Sequence, residues 1–216
     1  MRTVPPSDTT FLYLIRHGAT PPNEQRPYIL QGNGIDLSLS PSGRRQAAEA
    51  SEFLRDFPLN HIYCSSMIRA RETAEAIAKP HGFTPQLLTS IVECSVGCWE
   101  GLDWESIKQR DPEACRLFQE NPAANPYLGG ESYTDVLMRV RPVFQDLLKR
   151  HRGESIVVVA HNIVNRVILA DLLGLELCRA KDLRQQNACV NLISCDDQRA
   201  HVVTLNSVFH LSEAPL

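Results

Sequence analysis

Two short apolar runs, each ending on a histidine, constrain this chain more than anything else in it. Phe11 to Ile15 (FLYLI) passes directly into Arg16-His17-Gly18, and Ser155 to Ala160 (SIVVVA) passes directly into His161. Runs of this length read as buried strands. Helical patterns lie between and after them. Ser40-Pro41 supplies an N-cap and a first-turn proline, and Ala47, Ala50, Leu54 and Phe57 then fall on one face. His61 to Ser65 is a second strand, and Met67 to Lys79 is a helix stopped by Pro80 and Gly82. Thr84 to Thr89 is a candidate third strand. A long helix is expected from Tyr133 to His151, kinked or divided at Pro142. Another runs from Ile163 to Leu173 and closes at Gly174. Val190 to Cys195 and Ala200 to Leu205 form two late strands, antiparallel through an Asp196-Asp197 turn.

Strands alternating with helices specify an α/β fold, a three-layer α/β/α sandwich with a mostly parallel central sheet. The segment from Asp103 to Leu128 is less regular. It carries a helix around Trp104 to Gln119 and prolines at 112, 122 and 126, and reads as a short, partly helical cap insertion. A length of 216 residues fits a single domain over 1–216, with the cap at about 98–130. In open α/β sheets, ligands bind beyond the carboxyl ends of the strands. His17 and His161 are therefore candidates for one shared pocket.

Charge narrows the partners. Lys and Arg number 22 against 25 Asp and Glu, a formal charge of −3. That balance disfavours nucleic acid and a polybasic membrane anchor. No apolar run approaches the roughly 18–20 residues that span a bilayer. The polar stretch Met1 to Thr10 lacks the core of a secretory signal, which makes cytoplasm the expected location. Seven irregularly spaced cysteines argue against a disulfide framework. Cys94 and Cys98 lack the matching pair of a zinc site, so buried or incidental thiols are expected.

Arg16-His17-Gly18-Ala19-Thr20, with Asn23 after it, resembles the RHGxT signature of the histidine phosphatase superfamily, which also holds the cofactor-dependent phosphoglycerate mutases. Further segments follow in the family's order: Gln31-Gly32, Asp36-Leu37, Leu39-Ser40 and Gly43. Ser65 to Ala74 resembles SPLxRAxxTA, with Ser66 in place of proline. Glu93 precedes Gly97-Cys98-Trp99-Glu100-Gly101, similar to E…GxWEG. Gly130-Glu131-Ser132 resembles the family's GES, and Val158-Val159-Ala160-His161-Asn162 its second-histidine strand. The likeness spans Phe11 to about Arg166.

The resemblance implies a role for each of these residues, and elementary chemistry agrees. Guanidinium groups grip phosphate oxygens in a bidentate fork, which suits Arg16 and Arg69. His17 is the expected nucleophile, forming a phosphohistidine. Its other ring nitrogen should be held by a nearby backbone carbonyl. His161 is the expected second phosphate-facing imidazole. The amides of the helix it opens, including that of Asn162, form an anion site. Asn162 stands where many relatives have glycine, and its side chain offers a further contact. Glu93 is the expected general acid and base, with Glu100 as its competitor. Asn23 and the Gly32 amide are either phosphate contacts or turn chemistry. Trp99, Trp104 and Tyr127 line either the substrate mouth or the core. No metal and no cofactor are expected, since cationic side chains replace a magnesium clamp.

A phosphomonoesterase acting on a small phosphorylated metabolite is the preferred activity. Val92 to Gly101 lacks the basic residues that the metabolic mutases carry beside their glutamate, which places a cofactor-dependent phosphoglycerate mutase second. A non-catalytic phospho-ligand-binding protein comes third, because His17, both arginines and Glu93 are all present. The substrate and the oligomeric state stay open.

Overall fold

In the computed structural model, which describes residues 4–212, the central sheet has six strands. They are β1 (Thr10–Arg16), β2 (His61–Ser65), β3 (Gln86–Leu88), β4 (Ser155–Ala160), β5 (Val190–Cys195) and β6 (Ala200–Ser207), in the spatial order β3-β2-β4-β1-β5-β6. The β1–β4, β2–β4 and β2–β3 pairs are parallel, whereas β5 runs antiparallel to both of its neighbours. Of the amino-terminal stretch considered above, residues 1–3 lie outside the described residues, as do residues 213–216.

Side chains alternate across a strand, so the apolar runs bury both faces of the sheet. Tyr13, Ile15, Ile62, Val157 and Val159 face helices α2 (Pro41–Leu54) and α3 (Ile68–Ala78), where Ala50, Leu54, Ala74 and Ile77 pack. Leu12, Leu14, Tyr63, Ile156 and Val158 face the opposite layer. That layer contains α6 (Tyr133–Arg150) and α7 (Asn162–Leu172), and joins the cap helices α4 (Trp104–Arg110) and α5 (Pro112–Glu120). A single turn, α1 (Pro21–Glu24), follows the β1 loop.

Local signals set most of the boundaries. Ser40 Oγ accepts from Gly43 N at 3.0 Å, as an N-cap should. Gly82, at φ 68°, closes the turn after α3. Two expectations are corrected. The cap holds two helices rather than one, because Pro112 excludes the residue before it from helical backbone and Asp111 sits at φ −131°, ψ 58°. Helix α6 is neither kinked apart nor divided: it runs unbroken through Pro142. Pro142 lies on the exposed face beside Met138, whose orphaned carbonyl can be met by water.

The first turn of α2 lies backbone-to-backbone against the loop after β1. A methyl built on Gly43 would stand 1.9 Å from the Ala19 carbonyl oxygen, and one on Gly18 would stand 2.5 Å from the Gly43 carbonyl oxygen. Overpacking of this kind costs about 1–3 kcal/mol or more. Gly43→Ala is therefore expected to lower the thermal unfolding midpoint by several degrees. An unchanged midpoint would show that the two segments can part freely.

Candidate active site

Strand register creates the site. In the β1–β4 pair Arg16 stands opposite Ala160, and the His17 amide donates to the Ala160 carbonyl at 3.1 Å. His17 and His161 are thus each the first residue past a paired strand end. Their rings lie 5.2 Å apart, and both are buried. Helix α3 begins just beyond β2 and brings in Arg69, itself only 1% exposed. Its amino terminus is held by Asp36, whose carboxylate accepts from Ile68 N at 2.9 Å.

The His17 ring is fixed at both nitrogens. Nδ1 donates to the Gly18 carbonyl at 2.7 Å, a backbone partner of the kind the family resemblance implies. Arg69 Nε donates to Nε2 at 3.2 Å. Those partners select the neutral tautomer with its lone pair on Nε2. Burial, and then the charges of Arg69 and Arg16, hold the ring well below the ordinary imidazole value of 6.5. Burial, Arg69, His17 and Arg16 push His161 down in the same way. Arg69 is anchored through Nη1 to the Ile35 carbonyl and Nη2 to the Gly32 carbonyl, each at 3.0 Å. Arg16 donates from Nη1 to the Gln185 carbonyl at 2.6 Å. Burial also lowers both guanidinium groups, and Glu93 opposes that shift in each.

Several buried polar atoms here have no hydrogen-bond partner: Arg16 Nε, both His161 ring nitrogens and Asn162 Oδ1. Such groups are costly unless a ligand completes them. A small cavity bounded by Arg16, His17, Glu93, Asn23 and Asn162 opens outward into a cleft of about 810 Å³. Arg166, Lys181, Arg184, Trp104 and Tyr127 line this outer cleft. Arg69 and His161 are on neither wall; each contacts His17 instead.

The other expected residues find particular places. The Gly32 amide is not free: it donates to Glu100 Oε1 at 2.6 Å, while the Gly34 amide donates to Oε2 at 3.2 Å. Glu100 therefore shapes the loop whose carbonyls hold Arg69, and Glu93 alone of the two carboxylates borders the inner cavity. At the start of α7 one amide, that of Ile163, is turned to the Glu93 carboxylate. Ile163 N donates to it at 3.2 Å and Cys94 N at 2.9 Å. Asn23 Oδ1 accepts from Thr20 N, Thr20 Oγ1 and Asn187 Nδ2. Trp99 is fully buried, edge-on to Phe118 and Tyr127, and belongs to the core. Cys94 is buried and Cys98 exposed.

Two supports were not anticipated. The loop before β5 braces His17. Asn187 Nδ2 and Ala188 N both donate to the His17 carbonyl, and Gln185 carries Arg16. Its sequence signal is the amide run Gln185-Gln186-Asn187 ahead of a strand. Arg139, on α6, donates to the carbonyls of Ser90 and Glu93 and pairs with Glu131 at 2.7 Å. Glu131 in turn accepts from Ser95 N, so this pair splints the Glu93 segment.

A neutral imidazole with its lone pair held beside guanidinium groups, and a carboxyl across a small cavity, is the geometry of phosphoryl transfer through histidine. Comparison with known proteins agrees. Residues 12–208 match the histidine phosphatase superfamily (branch 1), and the chain belongs to that family. Phosphoserine phosphatase 1 of Hydrogenobacter thermophilus is 31% identical over 94% of this chain and 94% of its own. The metal-independent phosphoserine phosphatase of Arabidopsis thaliana is 32% identical over 95% and 85%. The structure of Bacillus stearothermophilus YhfR superposes with a TM-score of 0.85 at 31% identity, covering 93% of this chain and 98% of that one. The protein is accordingly a phosphoric monoester hydrolase.

A histidine kept neutral in the fold but free to ionise in the unfolded chain makes unfolding take up a proton below the ordinary value of 6.5. Stability from His17 and His161 is therefore complete above that value and falls as pH drops. The thermal midpoint should be lower at about pH 5.5 than at about pH 7.5. The acid limb of kcat/KM that reports His17 should lie below 6.5, not at it. A limb at or above 6.5 would contradict the burial argument. Arg139→Ala should lower kcat by about 10- to 100-fold through misplacement of Glu93. Arg139→Lys should restore part of it, and KM should change less than kcat.

Proposed function

We propose that this protein hydrolyses a small phosphorylated metabolite in two steps, with His17 Nε2 as the phosphoryl acceptor. The observation that carries the reading is the fixed His17 tautomer, its lone pair held toward Arg69 next to the cavity that Glu93 borders. In the first step Nε2 attacks phosphorus in line and the bond from phosphorus to the ester oxygen breaks. Glu93, which takes up a proton as the substrate's negative charge enters the cavity, gives that proton to the departing oxygen. Its Oε1 receives the shorter amide contacts from Cys94 and Ile163.

In the second step water attacks the phosphohistidine, Glu93 takes the water's proton, and inorganic phosphate leaves with His17 neutral again. Arg16, Arg69 and His161 stabilise the equatorial oxygens in both steps. For Arg69 this means exchanging its contact with Nε2 for the phosphate. Asn162 and Asn23 border the phosphate from the cavity wall, and Gly32 acts by anchoring Arg69 through its carbonyl.

The substrate class follows from the cleft. Arg166, Lys181 and Arg184 surround the mouth and favour a compact phosphate ester with a further anionic group. Phosphoserine, named for two relatives, has that form. We further infer a single catalytic domain carrying its cap, working on small molecules rather than nucleic acid. No helix among the described residues is long and apolar enough to cross a membrane.

Release of inorganic phosphate from p-nitrophenyl phosphate and from O-phosphoserine tests this directly. His17→Ala should lose at least about 10³-fold in kcat, and Glu93→Gln should lose more with the poorer leaving group of phosphoserine. Comparable turnover by His17→Ala would refute the covalent route. Efficient isomer formation from 3-phosphoglycerate with catalytic 2,3-bisphosphoglycerate would favour the mutase reading instead.

A further inference from the structure

The catalytic end of the sheet is not the only place where ionisable groups converge. At the opposite, amino-terminal ends of the parallel strands, His61 opens β2, Glu154 immediately precedes β4, and His151 caps the carboxyl end of α6. His151 Nδ1 lies 2.6 Å from Glu154 Oε2, and His61 Nε2 lies 3.4 Å from the same oxygen. The imidazole rings are 4.5 Å apart, and one donor atom from each of the three residues lies within 4.8 Å of the others. On the far side of the His151 ring, Nε2 is 2.8 Å from the Tyr63 hydroxyl. Arg150, the neighbouring cation, pairs with Asp146. The length of β4, roughly 20 Å at about 3.3 Å per residue, separates this cluster from His161.

We propose that His61, His151 and Glu154 form a binding site for a divalent transition metal of the zinc type, separate from the phosphatase chemistry. Two imidazoles and one carboxylate are a zinc donor set. Bonds of about 2.0–2.2 Å at tetrahedral angles place donor atoms about 3.4 Å apart. The His61–Glu154 contact already has that spacing at 3.4 Å. The shorter His151–Glu154 contact opens as the metal takes Nδ1, and the single proton of the neutral ring moves to Nε2. With Nδ1 on the metal, Nε2–H donates a hydrogen bond to the Tyr63 hydroxyl, the kind of outer hydrogen bond that orients metal-binding histidines. His61 and Glu154 are 36% and 35% exposed, which provides an entry path and leaves the fourth position to water. The bound ion ties the end of α6 to the starts of β2 and β4, and so stabilises the folded chain by mass action.

Chelator-stripped full-length protein, titrated with Zn²⁺ alone, tests this by equilibrium dialysis and thermal unfolding. Wild type should bind one Zn²⁺ at this site and its midpoint should rise. His61→Ala and Glu154→Gln, confirmed as folded by circular dichroism, should weaken binding at least about 100-fold, and Tyr63→Phe by about 10-fold. His17→Ala should bind as wild type does. Co²⁺ in the same site should show ligand-field bands without thiolate charge transfer, since no cysteine contributes. The proposal fails if wild type binds no ion, or if folded His61→Ala and Glu154→Gln bind as tightly as wild type. It also fails if His17→Ala abolishes binding, or if a thiolate band appears.

Discussion

The parallel pairing of β1 with β4 is the constraint on which the rest depends. Six consecutive partners, from Phe11 with Ser155 to Arg16 with Ala160, end together, and each strand then releases a histidine. A slip of one residue would exchange the faces of every side chain in a strand. Leu12 and Leu14 would turn to α2 and α3, Tyr13 and Ile15 to α6 and α7, and the two rings would separate. Both faces are packed, so the register is over-determined. The site inherits the rigidity of the most buried part of the molecule.

That rigidity has an electrostatic cost, which the backbone largely absorbs. Two guanidinium groups and two imidazoles are buried near a single inner carboxylate. The imidazoles respond by remaining neutral. The arginines are held by carbonyls: Ile35 and Gly32 for Arg69, Gln185 for Arg16. Glu93 sits on the amides at the start of α7, where a helix terminus favours negative charge. Arg16 Nε and the His161 ring nitrogens keep hydrogen-bonding capacity that nothing else in the site uses. A net charge of −3 gave no hint of this, because the cationic groups are concentrated at one strand end.

Much of this was legible from residues alone. FLYLI and SIVVVA could only be buried strands, and the segments around His17, Arg69, Glu93 and His161 marked the chemistry. Less legible was what each group holds. The residues left Gly32 open between a phosphate contact and turn chemistry; its amide is spent on Glu100 and its carbonyl serves Arg69. The helix terminus after His161 reads as an anion site, and one of its amides, Ile163 N, meets the Glu93 carboxylate. Arg139 lies on a helix with no motif to single it out, and its role depends on reaching the carbonyls of Ser90 and Glu93 some fifty residues away.

Residues alone, then, were enough for the layer architecture, the strand ends where the two histidines stand and the residue types gathered there. Those follow from local periodicity and from which side chains can hold a phosphate. Only the tertiary structure decided the tautomer of His17, the anchoring of Arg69, the seat of Glu93, and the meeting of His61, His151 and Glu154 away from the site. Each of these is a contact between distant segments. Its geometry is set by how two packed layers settle on one sheet, and no local pattern encodes that distance.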